Sequence, residues 1–270
     1  MSELPLILEP ETLAQSLDQD DNLLIVDLSD PQHYAQGHIP GAVHAHPRET
    51  RGAASPVPGL LPEPAELEAL LGRIGLTPQH HVIAYDDEGG GWAGRFLWLL
   101  DCAGYSDFSL LNGGRIAWVA EGYPTTTETP DPRPTEPHIT PRSEPTAGMQ
   151  DVLSAIDAGD ITIWDARSPE EYRGERQTAA RNGHIPGAVN LEWTELMDPG
   201  RNYRLLPEDR LRAKLHEHGI APNTGIITHC QSHHRSGLTY VVAKALGYPE
   251  VRAYAGSWAE WGNRSETPIE

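Results

Sequence analysis

The chain is short of cysteine, of basic side chains and of long apolar runs, and each shortage excludes something. Two Cys in 270 residues cannot staple a disulfide-rich secreted scaffold, so a reducing, cytoplasmic setting is expected. Twenty Lys plus Arg against 39 Asp plus Glu leave a net charge of −19, which argues against nucleic acid or an anionic membrane as partner. No apolar run approaches the ~18 residues of a spanning helix. The densest stretch, Phe96 to Leu100, reads as one face of a helix. The opening MSELPLILEPE lacks a basic segment followed by an apolar core, so no signal peptide is expected. Gly89-Gly90-Gly91 alone makes no dinucleotide fingerprint, and no cofactor is expected.

What the chain does contain is a copy of itself. Gly37-His38-Ile39-Pro40-Gly41-Ala42-Val43 recurs letter for letter as Gly183-His184-Ile185-Pro186-Gly187-Ala188-Val189. Ile25-Val26-Asp27 answers to Ile163-Trp164-Asp165. At a constant offset of 143, Gly104-Tyr105 matches Gly247-Tyr248, Gly113 matches Gly256 and Trp118 matches Trp261. Between the copies, seven prolines from Pro124 to Pro145 alternate with Thr, Glu and Asp and carry no apolar periodicity. Such a segment stays extended and packs no core. The expected organisation is a domain over 1–124, a linker over 125–145 and a second domain over 146–270.

Within each copy short branched runs alternate with helical patterns. Leu23 to Leu28, Val82 to Tyr85, Ile161 to Trp164 and Ile226 to His229 read as buried strands. Asp30-Pro31 and Ser168-Pro169 each place a capping residue before a helix-opening Pro, and Ser168 with Glu171 forms a capping box. Leu67, Leu70, Leu71 and Ile74, like Leu211 and Leu215, mark one apolar helix face. Alternation of this kind implies an α/β fold, each copy a parallel sheet flanked by helices. Ligands in such folds bind beyond the carboxyl ends of the strands, here after Tyr85 and after His229.

There the copies part company. The first reads Asp86-Asp87-Glu88-Gly89-Gly90-Gly91-Trp92, the second His229-Cys230-Gln231-Ser232-His233-His234-Arg235-Ser236. The offset of 143 sets Cys230 opposite Asp87. A helix over Ser236–Leu246 follows, its apolar residues at Leu238, Val241, Val242, Ala245 and Leu246. A thiol in a tight loop at a helix N-terminus has its thiolate stabilised by aligned N–H groups, and the thiolate is the nucleophile. Arg235 and the neighbouring His add positive potential. Cys102, aligned with Ala245, reads as helix packing, and no Cys102–Cys230 disulfide is expected. His38, His184, Asp27 and Asp165 recur in both copies and read as structural. A metal site at His229, Cys230, His233 and His234 is disfavoured, because adjacent residues point apart and no second ligand cluster exists.

Two strand–Asp–capped helix–GHIPGA units, with a Cys loop only in the second, resemble the tandem-domain rhodaneses, above all the bacterial ones. The closing Tyr254-Ala255-Gly256-Ser257-Trp258-Ala259-Glu260-Trp261 is similar to the family's C-terminal pattern. The resemblance implies thiosulfate:cyanide sulfur transfer in two half-reactions through a persulfide on Cys230. It implies that Gln231, Ser232, His233 and His234 line the donor site, and that Arg235 pairs with the donor sulfonate or braces the loop. Trp193 is a candidate wall. Vertebrate-type enzymes carry an anion-binding Arg where this chain has Glu171, and a basic pair where it has Gln231 and Ser232. That leaves donor binding to Arg235 and the loop. Two alternatives stay open: a 3-mercaptopyruvate donor, and a persulfide carrier charged by a desulfurase or serving a protein acceptor. Phosphatases of related fold use Cys-x5-Arg, one residue longer than the spacing from Cys230 to Arg235. Charge divides in the same sense: residues 1–135 hold 20 acidic and 6 basic side chains, residues 136–270 hold 19 and 14.

Overall fold

The computed structural model describes residues 4–17, 22–52 and 57–270, so the first three residues of the stretch read for a leader lie outside it. Among the described residues the strands are β1 Ile7–Leu8, β2 Leu23–Asp27, β3 Val43–His44, β4 His81–Tyr85, β5 Phe108–Leu111, β6 Ile161–Asp165, β7 Val189–Asn190, β8 Met197–Asp198, β9 Arg204–Leu205, β10 Gly225–His229 and β11 Val251–Ala253. They make two parallel sheets, ordered β1-β5-β4-β2-β3 and β11-β10-β6-β7, while β8 and β9 pair antiparallel. The caps read from sequence form as expected. Asp30 accepts from Gln32 N–H, and Ser168 and Glu171 close their box. The recurring His38 and His184 each hydrogen-bond, through Nδ1, the carbonyl of a tyrosine on which the ring also stacks (Tyr34 and Tyr172). Among the described residues, no helix is long and apolar enough to cross a membrane.

The sheet register corrects the alignment at the loop. Tyr85 lies opposite Asp27, and His229 lies opposite Asp165. Asp27 and Asp165 are equivalent, so the residue after each strand is Asp86 in one copy and Cys230 in the other. The offset is 144 there and returns to 143 by Gly104 and Gly247, because the first copy holds one extra residue in between.

The two halves share one apolar core, which runs from Leu24 and Phe96 to Trp164 and Leu238. At its centre the Gly91–Cys102 helix packs on the Arg235–Ala245 helix. A Cβ on Gly94 would overlap the Gly237 carbonyl, and one on Gly237 would overlap the Arg95 backbone. This close approach buries Phe96 to Leu100 on every side, not on one face as the sequence suggests. Its own sheet covers one side and the other half's helix covers the next. The proline segment also departs from expectation. It is extended, yet Thr135 N–H bonds Gly72 O, Arg142 N–H bonds Cys102 O, and Ile139 enters the core. A second tie between the halves is Arg204, which contacts Glu9, Glu11 and Glu121.

Gly237→Ala is expected to destabilise the protein by about 1–3 kcal/mol, the usual cost of overpacking where backbone blocks the new atom. Denaturant unfolding of the variant beside the parent checks this, and equal midpoints would refute it.

Candidate active site

Cys230 follows β10, and the Arg235–Ala245 helix follows its loop. Both cysteines are buried, Cys230 at 0% exposure and Cys102 at 5%, so exposure does not separate them. Their surroundings do. Burial pushes the Cys102 thiol well up, with the Asp101 charge adding to it. Burial would raise Cys230 too, but Arg235, the hydroxyl and N–H of Ser236, and His234 outweigh it and bring the thiol to about 7.

The loop is held from outside. The carbonyls of Cys230 and Gln231 accept the N–H groups of Trp258 and Ala259, at the start of the Ser257–Trp261 helix. The carbonyl of His233 accepts Nη1 of Arg95 at 3.1 Å. All described peptide bonds are trans, so each N–H opposes its carbonyl. The N–H groups of Gln231, Ser232 and His234 therefore face the inside of the loop. Ser257 Oγ accepts the N–H groups of Cys230 and His233 at 3.3 and 3.1 Å. His233 and Ser257 reach this geometry with φ of +50° and +52°, a region uncommon outside glycine.

The first copy shows what such a loop holds. The buried carboxylate of Asp86 accepts five N–H groups, from Glu88, Gly89, Gly90, Trp92 and Ala93, at 2.8–3.1 Å. It is an anion cradle filled by the chain's own side chain. Burial and nearby Glu88 still push Asp86 up to about 6.

The residues singled out from the sequence fall into different places. Arg235 sits beside the thiol, but its guanidinium makes a bidentate pair with Glu171 at 2.6 and 3.0 Å. The capping-box glutamate thus reaches the Cys230 loop. His234 stacks on Trp92 at 4.0 Å, contacts Glu88, and lies 5.8 Å from the Trp193 ring. Ser232 lies at the domain contact, where a Cβ on Gly59 would crowd its carbonyl. Gln231 donates from Nε2 to Thr178 O at 2.9 Å. His233 corrects the expectation of a lining residue. Its fully buried ring bonds Ser236 Oγ and abuts Trp98, because the left-handed backbone turns it toward the first half. Burial, Arg95 and His234 hold it far below the usual histidine range, so it stays neutral.

Several contributors have no signal in the repeat. Arg95 is wholly buried on the Gly91–Cys102 helix of the first half. Besides His233 O it bonds the carbonyls of Thr50, Gly59 and Leu60. Ser257 was visible only inside the C-terminal pattern. Arg167 pairs with Asp165 beneath the loop, with no exposure for either, and lies over Trp258.

Comparison with known proteins gives the family. The rhodanese-like domain matches twice, over residues 9–121 and 149–264. A thiosulfate sulfurtransferase of Azotobacter vinelandii is 51% identical, with 99% of this chain and 97% of that one covered. One of Pseudomonas aeruginosa is 49% identical over 100% and 98%. The sulfur carrier protein TtuD of Thermus thermophilus is 36% identical over 94% and 89%. Among solved structures, an anaerobic ergothioneine biosynthesis enzyme from Chlorobium limicola shares the fold, with a TM-score of 0.86 at 23% identity, covering 98% of this chain and 70% of that one.

Alkylation of Cys230 should rise with pH through a midpoint near 7, because the thiolate reacts and forms as pH increases. Arg235→Gln should move that midpoint upward by removing the largest stabilising charge. Iodoacetamide rates followed by mass spectrometry report both, and a midpoint unmoved in Arg235→Gln would contradict the assignment of Arg235. With two such domains spanning most of its length, the chain belongs to the rhodanese family.

Proposed function

We propose that the protein is a thiosulfate sulfurtransferase that works through a persulfide on Cys230. The observation that carries this reading is a buried thiol at about 7, set in the loop whose sister copy already holds an anion on five N–H groups. The Cys230 thiolate attacks the outer sulfur of thiosulfate. The new S–S bond forms as the old one breaks, and its electron pair leaves with sulfite. The persulfide anion stays in the N–H cradle, stabilised as an oxyanion is in other enzymes. Cyanide, or another thiophile, then attacks the outer sulfur and leaves as thiocyanate or its counterpart, and the thiolate is restored. No proton need move in either half-reaction.

Support also comes from two relatives near 50% identity that bear the name thiosulfate sulfurtransferase. One specific observation favours a second use of the same persulfide. A relative at 36% identity is named a sulfur carrier protein, which fits delivery to a protein acceptor. A 3-mercaptopyruvate sulfurtransferase of Escherichia coli is more distant, at 31%. A cytoplasmic, reducing setting suits a site that must return to the free thiolate. Ser232 and His234 line the donor site with Trp193 as a wall, while Gln231 braces the loop.

Treatment with thiosulfate should add the mass of one sulfur atom to the intact chain. The adduct should vanish in Cys230→Ser and persist in Cys102→Ser. An adduct retained in Cys230→Ser would place the chemistry elsewhere.

A further inference from the structure

A dianionic donor needs a cation that is not already committed. Arg235 is committed to Glu171 in a bidentate pair. Arg95 is committed as well: wholly buried, it spends its guanidinium on the carbonyls of Thr50, Gly59, Leu60 and His233. Arg51 is different. It belongs to the first half and directly follows Thr50, whose carbonyl Arg95 holds together with that of His233. One buried guanidinium thereby fixes Arg51 and the catalytic loop relative to each other.

The half-buried side chain of Arg51 lies over the Trp92 ring at 4.6 Å, and Trp92 stacks on His234. Its buried Nε has no hydrogen-bond partner, and among the described residues it forms no ion pair. Burial works against its charge, and the Cys230 thiolate is the main influence supporting it. Arg51 also borders a cavity of about 500 Å³ with Arg48, His46, Asp87, Glu88 and Trp92. Three carboxylates line it: Asp87 contacts His33, Glu88 contacts His234, and Asp30 accepts the N–H of Gln32. An unpaired guanidinium that borders a cavity and lies over the aromatic ring stacked on His234 of the Cys230 loop suits the sulfonate of a donor whose outer sulfur must meet Cys230.

We propose that Arg51, supplied by the first half, binds the sulfonate end of the anionic sulfur donor. This rests on the donor reading above and makes the first domain part of the donor site. Cys230→Ser cannot be sulfurated, so thiosulfate binding to it can be titrated calorimetrically without turnover. Adding Arg51→Met should weaken binding at least tenfold, and Arg51→Lys should recover part of the loss. In the parent background, Arg51→Met should lower kcat/KM for thiosulfate at least tenfold. Discharge of preloaded persulfide by a neutral dithiol should stay within twofold. Unchanged thiosulfate affinity in Arg51→Met, no measurable binding to Cys230→Ser, or an equal loss in both half-reactions would each overturn the proposal. If thiosulfate binds through Arg51 but transfers no sulfur, the donor reading fails while the binding site stands.

Discussion

Everything at Cys230 depends on where the carbonyl oxygens of its loop are sent. A buried carbonyl left without a donor costs roughly 1–3 kcal/mol, so a loop that turns its N–H groups inward must find donors outside for its oxygens. Here they come from two directions. The Ser257–Trp261 helix takes Cys230 and Gln231, and Arg95 of the other half takes His233. Only with those three oxygens held outward do the N–H groups face a common interior. The cradle is thus a consequence of bonds made on its far side.

Duplication supplies an internal comparison of what that cradle does to the group inside it. In the first copy the occupant is a carboxylate with five N–H donors, and burial still leaves Asp86 at about 6. Burial and the neighbouring Glu88 charge together outweigh the N–H groups there. In the second copy the occupant is a thiol, a weaker acid by several units in water, yet it falls to about 7. The difference lies at the helix start. The first copy has Gly91-Trp92 there, and the second has Arg235 beside the sulfur. A full positive charge in a dry site outweighs partial ones. Glu171 in turn keeps Arg235 charged and fixed while taking up its hydrogen-bonding fork.

The half without the thiol is built into the site. Glycines at 94 and 237 let two helices approach until their backbones touch, and that contact brings Arg95 behind the loop and His234 against Trp92. The two copies cannot separate without uncovering a shared core and stranding a buried guanidinium. This is a physical reason for the two copies to stay in tandem.

The sequence by itself settled what is local. The exact heptapeptide repeat, the strand runs, the Asp-Pro and Ser-Pro caps and the polar loop around Cys230 all rest on neighbours within a few residues, and the α/β sheets form where those patterns place them. The polar residues flanking Cys230 distinguish it from Cys102 in the sequence, whereas exposure does not, since both are buried. Tertiary structure decided the rest. A constant offset could not show that Asp86, not Asp87, stands opposite Cys230, because hydrogen-bonded register fixes that and sequence spacing does not. Adjacent His233 and His234 look alike in a string, yet a left-handed backbone sends one into the interface and leaves the other at Glu88. Arg95 reaches His233 across 138 residues, and no periodicity carries that information. Side-chain direction and long-range pairing arise only when the two halves close on each other, and there the thiol acquires its charge environment.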